Sequence, residues 1–137
     1  MSPVRDRSFH AVLWLGQLVL AAVFAFVGYA KMSRPIASLA GQMPWVIDVP
    51  PMLVKFIGAC EFVGAVGLVV PALTGVQPGL TPLAAVGLTT LMGLASIFHF
   101  GRGEFGNLLG TVPLALCCAF IAWGRLTHVS VPERLGG

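Results

Sequence analysis

The chain has 137 residues, of which 57% are hydrophobic before its 17 glycines are counted and only 9% are charged. Soluble domains are usually about 45–50% apolar with glycine included and about 25% charged. Eight basic and five acidic side chains cannot form a polar shell around so much apolar sequence. The net charge of +3 is scattered along the chain, which excludes a nucleic-acid surface. Disordered and coiled-coil proteins are excluded as well, and the composition predicts an integral membrane protein.

Four segments are long and apolar enough to cross a bilayer, which takes ~20 residues of helix. The first apolar run is longer than that of a signal peptide and ends at a charged, proline-containing stretch, so we expect it to remain as a span. Little sequence is left for a soluble domain. The prediction is therefore a single membrane domain over 1–137, folded as an all-α, up-down-up-down, left-handed four-helix bundle. The predicted spans cover about 11–30, 52–73, 80–100 and 107–124.

The connections between the spans differ in length. The first, about 31–51, is rich in proline and contains Trp45, a residue typical of the headgroup region. The other two are short, so the spans on either side of each are predicted to be antiparallel neighbours. Basic residues divide four to four between the two membrane faces, and only Arg5 and Arg7, just before the first span, favour a cytoplasmic location for both termini.

Polar residues converge on one membrane face. The first span ends there, the second begins there, the third ends there and the fourth begins there. On the opposite face, His10, Arg125 and His128 are predicted to lie near the rim, with none of them buried. The convergent set consists of Lys31, Arg34, Lys55, Glu61, His99, Arg102, Glu104 and Asn107.

Glu61 is the most informative of these residues. It lies ~13 Å into the second span at 1.5 Å per residue, and an ionisable group at that depth marks a functional site by default. The alternative is a carboxylate that holds the bundle together through one ion pair or hydrogen bond. Lys55 lies off its helical face, so the partner of Glu61 is expected from another helix: Lys31, His99 or Asn107.

Residues spaced by three and four predict the face of each span that points into the bundle. Small residues on these faces indicate close packing of helices. The predicted faces are Gln17, Ala21, Phe24, Gly28 and Lys31; Gly58, Glu61, Ala65 and Leu68; Thr89, Gly93, Ser96 and Phe100; and Asn107, Gly110, Thr111, Leu114 with Cys117 or Cys118.

Metal and thiol chemistry are not predicted. A zinc site is not predicted, because His99, Glu61 and Glu104 are too loosely spaced. Haem would need a second histidine at the same depth, and the sequence places none there. The three cysteines form no C-x-x-C pair and lie within apolar spans, where cysteine acts as a small hydrophobic residue.

The motifs GYAKM-x-x-P at Gly28–Pro35, G-x-x-E-x-x-G at Gly58–Gly64, and PLAAVGL followed by FHFGRGE between Pro82 and Glu104 resemble the DoxX-like family of small four-helix membrane proteins. The likeness covers about residues 12–125. The family takes its name from a subunit of a thiosulfate:quinone oxidoreductase, and other members are tied to oxidative-stress membrane complexes or, distantly, to assembly of receptor channels. The resemblance implies a bacterial plasma membrane location and a pocket, but no mechanism, at the family positions Lys31, Glu61, His99, Arg102 and Glu104.

Three functions remain open. The first is a membrane subunit that binds a quinone or another lipophilic molecule in a pocket at the Lys31, Glu61 and His99 end, with Arg102, Glu104 and Asn107 nearby. The second is a non-enzymatic structural or assembly subunit of a larger membrane complex, or a homo-oligomer in the lipid bilayer. The third is a transporter or proton channel, which four spans without repeats make less favourable.

Overall fold

The computed structural model describes residues 3–134 and consists of helices and their connections. Four helices are long and apolar enough to span a membrane, which makes the chain a multi-pass integral membrane protein and confirms the predicted bundle. Two short elements lie between the first and second of them: α2, Ile36–Leu39, and a 3-10 helix, Pro44–Asp48. The ends of the predicted domain, residues 1–2 and 135–137, lie outside the described range. The long helices are α1, Pro3–Ser33; α3, Pro51–Thr74; α4, Leu80–Gly101; and α5, Phe105–Thr127.

The helix ends agree with the predicted spans except at α1, which begins eight residues before the predicted boundary at 11. This added segment carries Arg5, Asp6 and Arg7 and is exposed. It is helical because proline suits the first position of a helix and Asp6 lies in the first turn, where a negative charge interacts favourably with the helix dipole.

The bundle has two ends that differ in structure. The backbone N–H of Arg134 donates to the carbonyl of Gly75 at 3.1 Å, which places the chain after α5 beside the turn between α3 and α4. We call this the terminal end, because α1 also begins there. The other end, the loop end, carries the segment 34–50 and the turn between α4 and α5. Gly75 and Gly103 each have a φ of 70°, a conformation that glycine adopts without strain, and they close the two short turns.

The four helices associate as two pairs. Helices α1 and α3 pack backbone to backbone at Gly28 and Gly58, where a Cβ on Gly28 would lie 2.6 Å from the carbonyl oxygen of Gly58. Helices α4 and α5 are joined by a hydrogen bond of 2.9 Å between the hydroxyls of Ser96 and Thr111. The two pairs meet in the terminal half of the bundle, where the Leu88 side chain of α4 packs against the α3 backbone. A core of leucine, alanine, phenylalanine and methionine fills this half.

The inward faces of α1 and α3 match the prediction, since Gln17, Phe24 and Lys31 of α1 and the Gly58 and Glu61 positions of α3 are buried. On α5, Cys118 rather than Cys117 is the buried cysteine.

The predicted inward face of α4 is wrong. Leu88, Met92 and His99 form the buried face, whereas Phe100 is 65% exposed. The hydroxyls of Thr89 and Ser96 donate to carbonyls one turn back on their own helix. Their polarity is satisfied locally, so the larger apolar side chains occupy the core instead.

The predicted exposure of Arg125 is also wrong. Its side chain is only 2% exposed, and its Nε donates to Oε1 of Gln17 at 2.7 Å. The reason is that α1 and α5 are in close contact at the terminal end, where Leu13 packs against Gly124. The residue next to that contact is thereby enclosed.

Candidate functional site

The buried ion pair between Lys31 and Glu61 is the centre of the loop end. Lys31 Nζ lies 2.7 Å from Oε1 and 2.9 Å from Oε2 of Glu61, and both side chains are buried. Of the three partners that the sequence allowed, Lys31 is the one observed. Lys55 is exposed and donates to the Met32 carbonyl, as its position off the Glu61 face predicted.

A glycine on α3 leaves room for the lysine side chain of α1 to reach the glutamate. A Cβ on Gly58 would lie 2.7 Å from the Cβ of Lys31, so the lysine stem runs across the α3 backbone where no side chain stands in its way. Glu61 follows Gly58 by three residues and lies on the same face, one turn deeper. The G-x-x-E spacing therefore provides both the groove for the lysine and the carboxylate at its end.

A second polar cluster forms around the turn between α4 and α5. Nδ1 of His99 lies 2.6 Å from Oε2 of Glu104, and Nε of Arg102 donates to Oε1 of the same carboxylate at 2.6 Å. Arg102 also donates to Asp48 of the 3-10 helix. The Nδ2 group of Asn107 lies 3.3 Å from the Glu104 carboxylate and 3.2 Å from His99 Nδ1.

The charges of this cluster stabilise one another. The hydrogen bond from His99, followed by that from Arg102, lowers the pKa of Glu104 below its usual range. The hydrogen bonds to Glu104 and then to Asp48 raise the pKa of Arg102. Glu104 is therefore an anion at neutral pH and accepts the proton on Nδ1 of His99. This fixes the ring so that Nε2 is the nitrogen left for another partner.

A cavity of about 500 Å³ lies between the two helix pairs at the loop end. All four long helices contribute to its walls, and the segment 34–50 covers it with Met43, Trp45 and Val49. Trp45 connects the two polar clusters, since Lys31 Nζ lies 5.6 Å from one Trp45 ring centroid and the His99 ring lies 6.1 Å from Trp45.

The cavity wall is mostly apolar, with a few polar groups toward the loop end. Aromatic and aliphatic side chains of α3 and α4, among them Phe56 and Leu94, line it and are also exposed on the outside of the bundle. The cavity therefore has access to the hydrocarbon region of a bilayer. The positive charge of Lys31 and the negative charge of Glu61 offset each other, so the arrangement suits an uncharged amphipathic molecule.

The six predicted site residues fall into two groups: those that line the cavity and those that lie behind its lining. Lys31, Glu61, His99 and Asn107 line the cavity, and Arg102 and Glu104 lie behind His99, where they fix its ring.

Sequence reasoning missed Trp45 and Asp48. The sequence places Trp45 in the headgroup region, although its position in a proline-rich connection next to the convergent charges is a signal for a covering segment. Asp48 gave no such signal, because its partner Arg102 is 54 residues away.

Metal ligands are not assembled at this site: within residues 3–134, no group of three or more His, Cys, Asp or Glu side chains is close enough to hold a metal ion. All three cysteines are free thiols.

The family model for the DoxX-like family matches residues 15–123, a range that includes all six predicted site residues. Comparison with curated proteins and with solved structures gives no match. Because the matched range covers most of the chain, the protein belongs to the DoxX-like family.

Proposed function

We propose that this protein is a membrane subunit that binds an uncharged, quinone-like lipophilic molecule in the cavity at the loop end. The observation that carries the proposal is the cavity itself: about 500 Å³, apolar walls, an internally neutralised ion pair and hydrogen-bonding groups at one end. Small-molecule sites usually have volumes of about 300–1,000 Å³ and combine apolar walls with a few oriented polar groups.

A quinone fits the residues present. Its ring has two polar oxygens and two flat apolar faces, and its isoprenoid tail is lipid-like. The ring would lie near Trp45, with one oxygen toward His99 and Asn107. The tail would leave between the exposed parts of α3 and α4 near Phe56 and Leu94. A bound quinone supplies two-electron redox chemistry that is coupled to protons.

The chain's own residues would bind, orient and exchange protons. His99 would present Nε2 to the ligand oxygen while Glu104 holds its Nδ1 proton. Glu104 is partly exposed, so the pair links the cavity to the aqueous edge of the bundle. Glu61 would accept or pass a proton, with Lys31 holding the carboxylate in place. The loop end would then face the extracytoplasmic side, in line with cytoplasmic termini.

The test is ligand binding by purified protein. Native purification in mild detergent, followed by mass spectrometry of extracted small molecules, should recover a quinone or a related lipophilic molecule. With a short-chain benzoquinone as the probe, Trp45 fluorescence should be quenched saturably. The other two tryptophans lie at the terminal end, where Trp14 contacts His10 and Trp123 contacts Phe9. The quenching that Trp45→Phe loses is therefore the part that comes from Trp45.

A matched pair of substitutions places the binding in the cavity. Ala95→Phe fills the cavity wall on α4 and should weaken quenching at least tenfold. Val86→Phe places the same aromatic side chain on the outside of the same helix and should leave quenching unchanged. No extracted lipophilic molecule together with no saturable quenching would refute the proposal.

One observation favours the alternative of an assembly subunit. A Cβ added at Gly87 or Gly93 of α4 would meet no atom of another described helix within 4 Å, so the α4 backbone offers a close approach to another helix. By contrast, Gly58, Gly64 and Gly67 of α3 pack against this chain's own side chains. A co-purifying membrane protein that is lost in Gly87→Leu, with no bound small molecule, would support this function instead.

A further inference from the structure

The hydrogen bonds of His99 determine which nitrogen of its ring carries the proton. Nδ1 lies 2.6 Å from Oε2 of Glu104, and that carboxylate is an anion at neutral pH. Because a carboxylate anion only accepts hydrogen bonds, the proton of the neutral imidazole lies on Nδ1. Nε2 then carries a lone pair, so this nitrogen is an acceptor.

The Nε2 atom has no hydrogen-bond partner within residues 3–134, although the His99 side chain is only 6% exposed. In that range, the fully buried side-chain atoms without a partner are Oγ1 of Thr81 and Nη2 of Arg125. Nε2 is not one of them, so it retains accessible surface. Since His99 lines the cavity at the loop end, a molecule in the cavity can reach this acceptor.

Asn107 adds a second acceptor beside His99. Its Nδ2 group lies 3.3 Å from Oε2 of Glu104, and the opposite orientation of the amide would bring its oxygen against the carboxylate. Nδ2 therefore donates to Glu104, and Oδ1 is the amide atom that has no partner in the described chain. Asn107 lines the cavity as well. The free polar atoms of these two side chains are thus acceptors.

The other polar groups of the cavity do not distinguish a donor from an acceptor. Lys31 Nζ has three protons, two of which are directed to the oxygens of Glu61, and the carboxylate keeps further lone pairs. This pair can therefore donate to a ligand oxygen and accept from a ligand hydroxyl. The indole N–H of Trp45 can donate to the oxygen of either a carbonyl or a hydroxyl. Selectivity is therefore expected at His99.

We propose that the cavity binds the reduced, dihydroxy form of its ligand, a hydroquinone, in preference to the quinone, and that Nε2 of His99 makes the distinction. This inference rests on the proposed function. The two forms share one carbon frame, so their apolar contacts are alike. A hydroquinone hydroxyl donates to Nε2, whereas a quinone carbonyl would place two acceptors against each other. Glu104 is a positioning residue, because it holds the proton on Nδ1.

The test is equilibrium dialysis of the full chain in detergent micelles under argon, with duroquinone and durohydroquinone as separate probes. The fully methylated ring of duroquinone does not add to the three free thiols. Uptake by protein-free micelles is subtracted. Durohydroquinone should bind at least about tenfold more tightly than duroquinone, because only it satisfies Nε2. A tenfold preference raises the midpoint potential of the bound pair by about 30 mV.

Variants locate the preference. Glu104→Gln has an amide that can donate to Nδ1, which lets the ring proton move to Nε2, and the preference should fall below about threefold. A looser covering segment in this variant would weaken both forms alike, so the ratio reports the ring proton alone. His99→Gln can both donate and accept, and should also lose the preference. His128→Gln is the matched control, because His128 is exposed at the terminal end, and it should keep the full preference.

The outcomes separate this inference from the proposed function. Saturable binding of both forms with equal affinity, or tighter binding of duroquinone, would overturn the inference and leave the proposed function standing. Saturable binding of neither form would refute both. An undiminished preference in His99→Gln and Glu104→Gln would overturn the role of His99. If His99→Gln does not fold, Glu104→Gln alone decides, since Glu104 lies in the turn between α4 and α5.

Discussion

Replacement of Glu61 by glutamine should be strongly destabilising, because it leaves Lys31 buried without a counter-charge. Lysine Nζ makes two short hydrogen bonds to the carboxylate, and hydrogen bonds to charged groups contribute about 1.5–3 kcal/mol each. Removing one partner of a buried pair costs about 3–5 kcal/mol in other proteins. We therefore expect Glu61→Gln and Lys31→Met each to lower the free energy of unfolding by about 3–5 kcal/mol.

The double variant should recover most of this loss. An apolar pair of similar volume is often as stable as a buried ion pair, so Lys31→Met combined with Glu61→Leu should unfold close to the unmodified protein. The assay is reversible unfolding in mixed micelles with increasing SDS. Lys55→Met is the control, and as an exposed lysine it should change stability by less than about 0.5 kcal/mol. Losses below about 1 kcal/mol in both single variants, or a loss in the double variant equal to the sum of those of Lys31→Met and Glu61→Leu measured singly, would contradict a coupled buried pair.

Three further outcomes are expected. Gly28→Ala should separate α1 from α3 and cost about 1–3 kcal/mol, because its Cβ meets backbone atoms that cannot move aside, whereas Gly87→Ala should be neutral or slightly stabilising in the same unfolding assay. The pKa of Glu104 is depressed in the folded protein. The Glu104 carboxylate therefore stabilises the turn between α4 and α5 above about pH 4.5, and this stabilisation is lost as the pH falls through the depressed pKa. Proteolysis of the segment 34–50 should therefore accelerate in acid, and Glu104→Gln should raise the rate at neutral pH and reduce the acceleration that acid causes. Asp48→Asn should speed the same cleavage at neutral pH, since it removes the ion pair to Arg102, and an unchanged rate would show that the apolar contacts under the segment are sufficient.

Much of the fold follows from the sequence because each apolar run is a span and each short connection makes its neighbours antiparallel. The depth of Glu61 predicts a buried partner from another helix, and Lys31 is within reach once Gly28 and Gly58 bring α1 and α3 together. The burial of Arg125 does not follow in the same way. It lies in the last turn of α5, and its partner Gln17 is 108 residues away in the chain.

The inward face of α4 shows a second limit of sequence patterns. Thr89 and Ser96 have the spacing of a polar face that points into the bundle, but each hydroxyl bonds to a carbonyl of its own helix, and only Ser96 also bonds to another helix, at Thr111 of α5. In a bilayer, a hydroxyl that is satisfied in this way can face lipid or a neighbour with little difference in free energy. Leu88 and Met92 then occupy the core because their larger side chains fill it. This preference depends on packing, which the periodicity of the sequence does not show.

The cavity at the loop end has a consequence for any measurement of affinity. At ~24 cal/mol per Å³, an empty cavity of about 500 Å³ would cost on the order of 10 kcal/mol, comparable to the stability of a whole domain. Because the cavity is open toward the hydrocarbon region, we expect acyl chains of the surrounding lipid to occupy it when no ligand is bound. Binding of the proposed ligand would then be an exchange with lipid, and its measured dissociation constant would depend on the length and packing of the acyl chains that it displaces.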